Sequence, residues 1–464
     1  MFNACPPLSY RSPLMNKHEF RTEPLPTTLM PPGVIHLVAN EGAERFSYYG
    51  MRAILVVFMT GMLLNAQGDL DPMGEAEAKS YYHLFASAVY FFPFLGAALA
   101  DAFWGKYKTI ILLSLVYCGG HVVLAMDHTR WGLLVGLTLI AIGSGGIKPC
   151  VSANLGDQFG PANGHLLTKA FAWFYFAINV GAFGSMMLTP WLLEHYGPSL
   201  AFGVPGILMF LATIIFRAGR KHYVHIPPDR SGVLQELTNP QAWRAIGKLA
   251  GIYVFVAFFW SLYDQTSSAW VLQARHMNRV WMGVEWLPSQ IQAVNPVLIM
   301  VFIPLFTYWV YPLLNRIVPM TPLRKMAMGF FMAVGAFLIS AFIEQRIGLG
   351  MEPAIAWQLL AFVVITAAEV MVSITCLEFS YTQAPLKLKS LMMGLFLLSV
   401  SLGNGFTAFV NYWIQNPDGT VVLTGPDYYW FFAGVMFLVA CIFLFVVKRY
   451  REETHLQGMQ GVRE

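Results

Sequence analysis

The sequence predicts an all-α membrane protein with twelve spanning helices arranged in two bundles of six. Of its 464 residues, 56% are hydrophobic and only 12% are charged, which is too apolar for an ordinary soluble domain. Twelve stretches are long and apolar enough to cross a bilayer, a distance that takes roughly 20 helical residues. The longest polar connector, residues 218–243, follows the sixth stretch and therefore separates the two predicted bundles.

Each span is placed where an apolar run lies between charged or turn-forming residues. The predicted spans are 35–64, 80–102, 107–126, 131–154, 168–191, 199–217, 244–270, 288–314, 325–344, 354–381, 391–414 and 428–448. The chain accordingly divides into a flexible N-terminal tail (1–32), an N-terminal bundle (33–217), a linker (218–243), a C-terminal bundle (244–448) and a C-terminal tail (449–464).

The distribution of basic residues predicts the orientation, because Lys and Arg are retained on the cytoplasmic side of a membrane. Connectors on the side of the two termini are rich in them, as in the stretch that contains Arg217, Arg220 and Lys221. Both termini are therefore predicted to be cytoplasmic, in a multi-pass protein of the cell membrane. This bias accounts for the net charge of +4, which implies no nucleic-acid partner.

Several classes of function lack their sequence signatures. The five cysteines form no CxxC pair, so neither a disulfide framework nor a zinc site is indicated. The chain has no HExxH motif, no phosphate-binding P-loop and no GxGxxG motif followed by an acid. We therefore expect neither an enzyme nor an ATP-driven pump, with no metal and no cofactor.

The first span carries charged residues where a membrane helix should be apolar. Each ionisable residue at the centre of a span costs about 2.5–3.5 kcal/mol on insertion scales, so they require an explanation. At 100° per residue, the polar side chains share a sector of about 140°. They could form an internal salt-bridge cluster that stabilises the helix packing. One ion pair would be enough for that role, and buried ion pairs stabilise less well than apolar packing. The residues on this face are Glu41, Glu44, Arg45, Tyr48, Tyr49 and Arg52.

Other ionisable residues interrupt apolar spans far away in the sequence. His83 lies in the second span, Lys148 in the fourth, Asp264 in the seventh and Glu369 in the tenth. Ionisable groups inside a membrane protein usually face the interior of the bundle or a wet cavity. We expect one common cavity that contains both signs of charge and suits a zwitterion.

Four motifs carry a resemblance to a known family. "EGAERFSYYG" resembles the first-helix signature of the proton-coupled oligopeptide transporter (POT) family, and "GSGGIKPCVSANLGDQF" and "FAWFYFAINVGAFGS" resemble its second and third signatures. "LEFSYTQAP" resembles the end of its tenth helix, and "GAALADAFWGKYKT" resembles the loop signature of the major facilitator superfamily, to which the family belongs. In that loop, Asp101, Gly105, Lys106 and Lys108 match a charge network whose expected role is structural. The resemblance implies the major facilitator superfamily fold.

The resemblance also implies how a peptide would be held between the bundles. Arg52 and Lys148 match residues that bind the peptide carboxylate, and Glu369 matches the residue that binds its ammonium group. A guanidinium offers a bidentate fork to a carboxylate, and a carboxylate accepts from an ammonium, so this polarity is chemically sound. Asn179 and Asn295 match residues that bond the peptide backbone, although either could instead stabilise a helix interface.

Aromatic residues are implied in the pockets for peptide side chains. Tyr48, Tyr49 and Tyr90 match residues that line these pockets, where an apolar wall accepts many side chains, although each could simply be packing. Phe396 occupies a position where family members usually have Trp, so the apolar packing is kept and an indole N–H donor is absent.

A second set of residues is implied in proton coupling. The counterpart of Asp264 pairs with the residue that matches Arg52, and His83 matches a histidine that is important in animal members. A packing role for His83 is as consistent with the sequence as a proton carrier, since imidazole titrates near physiological pH. The residues implied in proton coupling are Glu41, Glu44, Arg45, His83 and Asp264.

The sequence therefore predicts a proton-coupled symporter that imports di- and tripeptides by alternating access, with the proton as coupling ion. The partners expected are these peptides, protons and the lipid bilayer, and the chain is expected to be a monomer. The alternatives are a related proton-coupled transporter of nitrate or another small organic solute, and a membrane receptor that binds peptide without moving it. The chain lacks the two extra helices of many bacterial members and the large extracellular domain of animal members, which favours a bacterial source.

Overall fold

The computed structural model describes residues 20–230, 240–383, 389–416 and 420–449. Much of the predicted N-terminal tail, part of the linker and the C-terminal tail from residue 450 lie outside these described residues.

The N-terminal half consists of six long helices that cross the molecule in alternating directions. Short π-helical and 3₁₀ segments extend the second, fifth and sixth of them at Ala100–Trp104, Gly164–Leu166 and Gly219–Lys221. The six helices are α1 (Gly33–Gly61), α2 (Glu75–Leu99), α3 (Lys106–Met126), α4 (Arg130–Asp157), α5 (Leu167–Tyr196) and α6 (Pro198–Ala218).

The C-terminal half also has six spans, three of which are built from more than one helical segment. A two-stranded antiparallel hairpin, β1 (Val280–Trp281) and β2 (Val284–Glu285), follows its first span. The helices are α7 (Pro240–Tyr263), α8 (Ala269–Ala274), α9 (Val294–Leu305), α10 (Tyr311–Asn315), α11 (Pro322–Gly348), α12 (Ala356–Glu369), α13 (Thr375–Gln383), α14 (Lys389–Trp413) and α15 (Pro426–Arg449). The 3₁₀ and π segments that complete these spans are Asp264–Ser267, Pro288–Ala293, Phe306–Val310 and Val370–Ile374.

The helices confirm the predicted all-α membrane fold. Eleven helical segments of the described chain are long and apolar enough to span a membrane. The twelfth span is α1, which carries four charged residues in its 29-residue length and is therefore not found by hydropathy alone. The second helix begins at Glu75 rather than at the predicted residue 80, because its first turn is acidic and hydropathy excludes acidic residues.

Turn and cap residues set several helix boundaries. Thr129 caps α4 by accepting from the Gly132 amide at 3.2 Å, and Thr321 caps α11 in the same way. Gly197, with φ of 80°, is the single residue between α5 and α6, in a conformation that side chains other than glycine's rarely adopt. These local signals allow consecutive helices to reverse direction within very few residues.

Among the described residues, two large hydrophobic cores hold the helices of the halves together. One core lies in the N-terminal half, around Tyr117, Phe202 and Phe216, and the other lies in the C-terminal half, around Phe330 and Phe337. Because lipid is as apolar as these side chains, such cores hold helices mainly through close van der Waals packing.

Glycines permit a close helix contact in the N-terminal half, where α2 crosses α4. A Cβ atom added to Gly96 would lie 2.3 Å from the Cα of Gly146, and one added to Gly145 would lie 2.2 Å from the Cβ of Phe92. Small residues at such crossings let two backbones approach each other. This contact fixes the position of Lys148, two residues after Gly146.

Gly96→Ala is expected to destabilise the protein, because the new methyl group would collide with the backbone of α4 and force the two helices apart. Overpacking of this kind costs typically 1–3 kcal/mol. The measurement is the thermal unfolding midpoint of the purified protein in detergent.

Gly119→Ala is the matched control, because Gly119 is also helical and a Cβ atom there would meet no atom within 4 Å. The control should be neutral or slightly stabilising, since alanine favours helix over glycine. Equal midpoints for the two variants would contradict the proposed close contact.

Candidate functional site

The charged face of α1 begins with a buried cluster of two acids and one base. Arg45 Nε lies 3.0 Å from Glu41 Oε1, and Arg45 Nη2 lies 2.5 Å from Glu44 Oε2. The side chains are at most 7% exposed. The ion-pair distances are short, yet both Glu44 oxygens and these two Arg45 nitrogens have no partner with hydrogen-bond geometry. Buried polar groups are normally fully hydrogen-bonded, so this cluster is not optimised for stability alone.

Lys148 enters the same region from α4 and lies between two tyrosine rings. Its Nζ atom is 4.1 Å from the ring centroid of Tyr48 and 4.3 Å from that of Tyr90, which is cation–π geometry. Within the described residues, the buried Nζ atom and the Tyr48 hydroxyl have no hydrogen-bond partner. Tyr49 packs edge-on against Tyr48, at 5.3 Å between centroids. The Lys148 ammonium and the Tyr48 hydroxyl are therefore two neighbouring hydrogen-bond donors that are available to a ligand.

Arg52 connects the two halves of the molecule. Its Nη2 atom pairs with Asp264, from the C-terminal half, and its Nε atom donates to the Tyr82 hydroxyl of α2. Arg52 is 5% exposed and Asp264 is 2% exposed, so this ion pair is buried. The α7 helix ends directly before Asp264 and a 3₁₀ turn follows, which places the carboxylate at an interruption of the seventh span.

A hydrogen-bonded chain continues from Asp264 to His83. Asn404 of α14 donates from Nδ2 to Asp264 Oδ2 at 2.6 Å. His83 Nδ1 lies 2.8 Å from Asn404 Oδ1, and His83 Nε2 lies 2.8 Å from Ser268 Oγ. His83 and Asn404 have no exposed surface. These hydrogen bonds therefore connect the two halves through buried groups.

The donors and acceptors of this chain fix one of the two possible hydrogens of the imidazole. Asp264 as a carboxylate only accepts, so the Asn404 amide nitrogen donates to it and the Asn404 oxygen is left to accept. His83 Nδ1 must then carry a proton and donate to Asn404 Oδ1. The Ser268 hydroxyl can donate to His83 Nε2 or accept from it, so the geometry suits both the neutral ring and the doubly protonated ring.

Glu369 forms a second polar group in the C-terminal half. Asn295 Nδ2 donates to Glu369 Oε2 at 2.9 Å and to Thr366 Oγ1 at 3.0 Å, while the Tyr263 hydroxyl donates to Asn295 Oδ1 at 3.2 Å. No ion pair involves Glu369 in the described part of the chain. The π-helical segment Val370–Ile374 follows it directly, and such segments often occur at functional sites.

Asn179 stands apart from these groups. Its Nδ2 atom donates to the backbone carbonyl of Tyr175 at 2.9 Å, one turn earlier on α5. The structure thus joins Arg52, Asp264 and His83 in one network and Asn295 with Glu369 in another, whereas Asn179 bonds within its own helix.

Five polar residues of these networks were not identified from the sequence: Tyr82, Tyr263, Ser268, Thr366 and Asn404. All five are uncharged, and neutral polar residues are common enough in spans that they give no signal by themselves. Asn404 and Ser268 are separated from His83 by more than 180 residues along the chain. Their connection shows only in the folded structure, where α14 packs against α2 and Ser268, directly before α8, lies beside His83.

The charges of the site do not balance. Four carboxylates, Glu41, Glu44, Asp264 and Glu369, face three cationic side chains, Arg45, Arg52 and Lys148. With His83 neutral, the ionised site carries one formal negative charge, and a single bound proton would neutralise it. Among the described residues, no group of three or more His, Cys, Asp or Glu side chains could hold a metal ion.

Comparison with known proteins identifies relatives along most of the chain. The POT family profile matches residues 107–240 and 232–431. Solute carrier family 15 member 2 of Rattus norvegicus is 37% identical over 398 residues, covering 75% of this chain and 53% of the relative. Peptide transporter family 1 of Drosophila melanogaster is 38% identical over 377 residues, covering 71% of this chain and 50% of the relative. The chain thus spans about half the length of these curated relatives.

Solved structures agree with this assignment over nearly the whole molecule. The crystal structure of an auto inhibited POT family peptide transporter superposes with a TM-score of 0.84 at 35% identity, covering 92% of this chain and 99% of that one. The POT family transporter PepTSo gives a TM-score of 0.82 at 33% identity, covering 90% of this chain and 98% of that one. The helices therefore adopt the twelve-helix major facilitator superfamily fold of these transporters, and the chain belongs to the POT family.

Proposed function

We propose that this chain is a proton-driven symporter that imports di- and tripeptides by alternating access. The observation that carries this proposal is a pair of charged side chains without ion-pair partners on opposite halves. Lys148 in the N-terminal half and Glu369 in the C-terminal half have no ion-pair partner within the described residues. Buried charges without partners are costly in a membrane protein, so a ligand that supplies both partners would bind favourably.

A peptide with free ends has the charges that these two groups require. Its carboxylate would bind Lys148 and the Arg52 guanidinium once Arg52 leaves Asp264, and its ammonium would bind Glu369. Asn295 already donates to Glu369 at 2.9 Å, which leaves the carboxylate oriented for a second partner. Tyr48, Tyr49 and Tyr90 would provide aromatic surface for side chains without selecting strongly among them.

The surplus negative charge supports proton coupling. Glu41, Glu44 and Asp264 are the acids that we assign to this role, with Arg45 as the partner of the first two and His83 linked to the third through Asn404. A zwitterionic peptide adds no net charge, so the proton is the species that would move charge through the cycle. A potential of 100 mV contributes about 2.3 kcal/mol per elementary charge, which supports uphill uptake without ATP.

The names of the relatives support peptide as the substrate. One relative is a peptide transporter of Drosophila melanogaster, and one structural neighbour is a POT family peptide transporter. Nitrate, the alternative substrate, could occupy Lys148 but would leave Glu369 without a partner. A receptor that binds peptide without moving it would have no need of the surplus acid.

The remaining features of the proposal concern how the protein works in the cell. We place it in the cell membrane with both termini in the cytoplasm, acting as a monomer with the proton as its coupling ion and no further cofactor. Asn179 is assigned to the peptide backbone, which requires its amide to leave the carbonyl of Tyr175.

Uptake into proteoliposomes tests the proposed function. An inwardly directed proton gradient should drive accumulation of labelled dialanine, and a proton ionophore should abolish the accumulation because it removes the driving force. Unlabelled trialanine should compete, whereas free alanine and nitrate should not. Binding of dialanine without accumulation would indicate a receptor, and competition by nitrate would favour the alternative substrate.

A pair of charge-neutralising variants tests which residue holds which end of the peptide. Glu369→Gln should weaken dialanine binding by at least about tenfold, because truncating one partner of a buried charge pair costs roughly 2–5 kcal/mol. The variant should also lose its discrimination between dialanine and N-acetyl-dialanine. Lys148→Gln should instead lose discrimination between dialanine and its C-terminal amide.

Each of these variants is the control for the other, since each should keep the discrimination that its counterpart loses. Competition binding with the three ligands in detergent measures both effects. Equal losses of both discriminations in both variants would show that these residues act on the fold and not on the peptide ends.

Asp264→Asn tests whether Asp264 and peptide compete for Arg52. In the proposed exchange, proton binding and peptide binding favour the same rearrangement, so peptide affinity in the unmodified protein should rise as pH falls. The asparagine has no charge to lose, and its variant should bind dialanine with little dependence on pH. Affinities measured from pH 5 to 8 in both proteins provide the test. A variant with the same pH profile as the unmodified protein would contradict the proposed exchange.

A further inference from the structure

A groove with a volume of about 270 Å³ lies between α2 and α4, outside the site described above. Its walls come from these two helices and from Met73, which precedes α2. The side chains along it are mostly apolar, as at Leu84 and Phe92 of α2 and Leu134 and Leu137 of α4. Arg130 is the one charged residue of the lining, and it lies at one end.

The groove faces the bilayer and not the interior of the protein. Leu84 is 59% exposed and Leu134 is 49% exposed, whereas residues of α2 that point toward the other half, such as His83, are buried. Trp131, beside Arg130, is 74% exposed, as expected for an aromatic side chain at the level of the headgroups. An apolar groove on such a surface is filled by lipid chains in a membrane.

The length of the groove matches one leaflet. From Arg130 to Ala141 on α4, and from Tyr81 to Phe92 on α2, eleven helical steps span about 16 Å. One leaflet contributes about 15 Å to the hydrocarbon core, which is roughly 30 Å thick. A groove that starts at the headgroup level therefore accommodates an acyl chain down to the bilayer midplane.

The polar end of the groove carries both signs of charge. Arg130 Nε lies 2.8 Å from Asp71 Oδ2, and Arg130 Nη1 lies 2.6 Å from Glu77 Oε1. The three side chains are 31–43% exposed, so a headgroup can reach them. Two carboxylates around one guanidinium leave this headgroup cluster, Asp71, Glu77 and Arg130, with one formal negative charge.

This charge pattern distinguishes among phospholipid headgroups. An ammonium group with N–H donors complements the free carboxylate oxygens, and a phosphate complements Arg130 and the positive N-terminal ends of α2 and α4. An anionic headgroup without an amine would meet a net negative cluster. A quaternary choline group has no N–H to donate to the carboxylates.

We propose that this groove binds one phosphatidylethanolamine molecule, with its ammonium on Asp71 and Glu77, its phosphate beside Arg130 and one acyl chain along the groove. The bound lipid bridges α2 and α4 on the membrane side, and the groove ends beside the glycine contact of the same helices, since Phe92 lines the groove and also packs against Gly145. The inference does not depend on the transported substrate, because its test measures lipid binding and not uptake.

The test is native mass spectrometry of the purified full chain, supplied in detergent with dioleoyl-phosphatidylethanolamine, dioleoyl-phosphatidylglycerol or dioleoyl-phosphatidylcholine. One phosphatidylethanolamine molecule should remain bound at concentrations where the other two do not. Equal retention of all three lipids would overturn the proposed headgroup recognition.

Reversal of the cluster charge gives the sharpest variant. The double variant Asp71→Asn, Glu77→Gln changes the formal charge of the headgroup cluster from negative to positive. The preference should then shift from phosphatidylethanolamine to phosphatidylglycerol. An unchanged order of the three lipids in this variant would show that the cluster does not read the headgroup.

A groove-filling variant tests the acyl chain separately, without altering any charge. Leu134→Trp should reduce retained phosphatidylethanolamine by roughly tenfold or more, because the indole takes the space in which several methylene groups were buried. Ile207→Trp is the control, since Ile207 is 64% exposed on α6 and does not line the groove. Equal retention in the two tryptophan variants would overturn the assignment of the chain to this groove.

Discussion

The ion pair between Arg52 and Asp264 joins the two halves inside the membrane, and much of the polar site is organised around it. Each residue offsets the desolvation of the other, which costs several kcal/mol per ion. The pair holds the carboxylate in a position where Asn404 also donates to it, and Asn404 in turn orients His83. One pairing therefore determines the geometry of groups that come from α1, α2, α14 and the interruption after α7.

The same pairing gives the proposed transport cycle a physical basis. Arg52 cannot make its full ion pair with Asp264 and a bidentate contact with a peptide carboxylate at once. Any event that weakens the first interaction favours the second, and thermodynamic linkage requires the converse with equal magnitude. The network also makes His83 sensitive to Asp264, because both groups bond the same asparagine side chain. In the proposed cycle, protons and peptide are thus coupled through shared hydrogen-bond partners.

Hydropathy and helical register predict the fold class and much of the charged inventory of the site. The ends of the spans predicted from apolar runs lie within a few residues of most observed helix ends. The shared face of Glu41, Glu44 and Arg45 follows from their spacing alone. The cross-bundle hydrogen bonds do not follow from such patterns, since Ser268 and Asn404 are neutral and distant in sequence. The interruption at Asp264 is likewise set by tertiary packing, because the stretch that contains it has no proline or glycine to mark a break.

The contacts within and between the halves differ in kind, which bears directly on alternating access. Inside the N-terminal half, α2 and α4 meet through glycines with no space for another atom, so they move together. Between the halves, α2 meets α14 through serines: Ser87 and Ser401 each donate to the carbonyl of the other, at 2.9 and 2.8 Å, and Ser80 donates to the carbonyl of Ala408. A hydrogen bond of this type contributes only about 1 kcal/mol, and each hydroxyl can find another acceptor on its own helix. In the proposed cycle, these serine contacts between the halves rearrange at low cost, and the buried Arg52–Asp264 pair is the contact whose loss a ligand compensates.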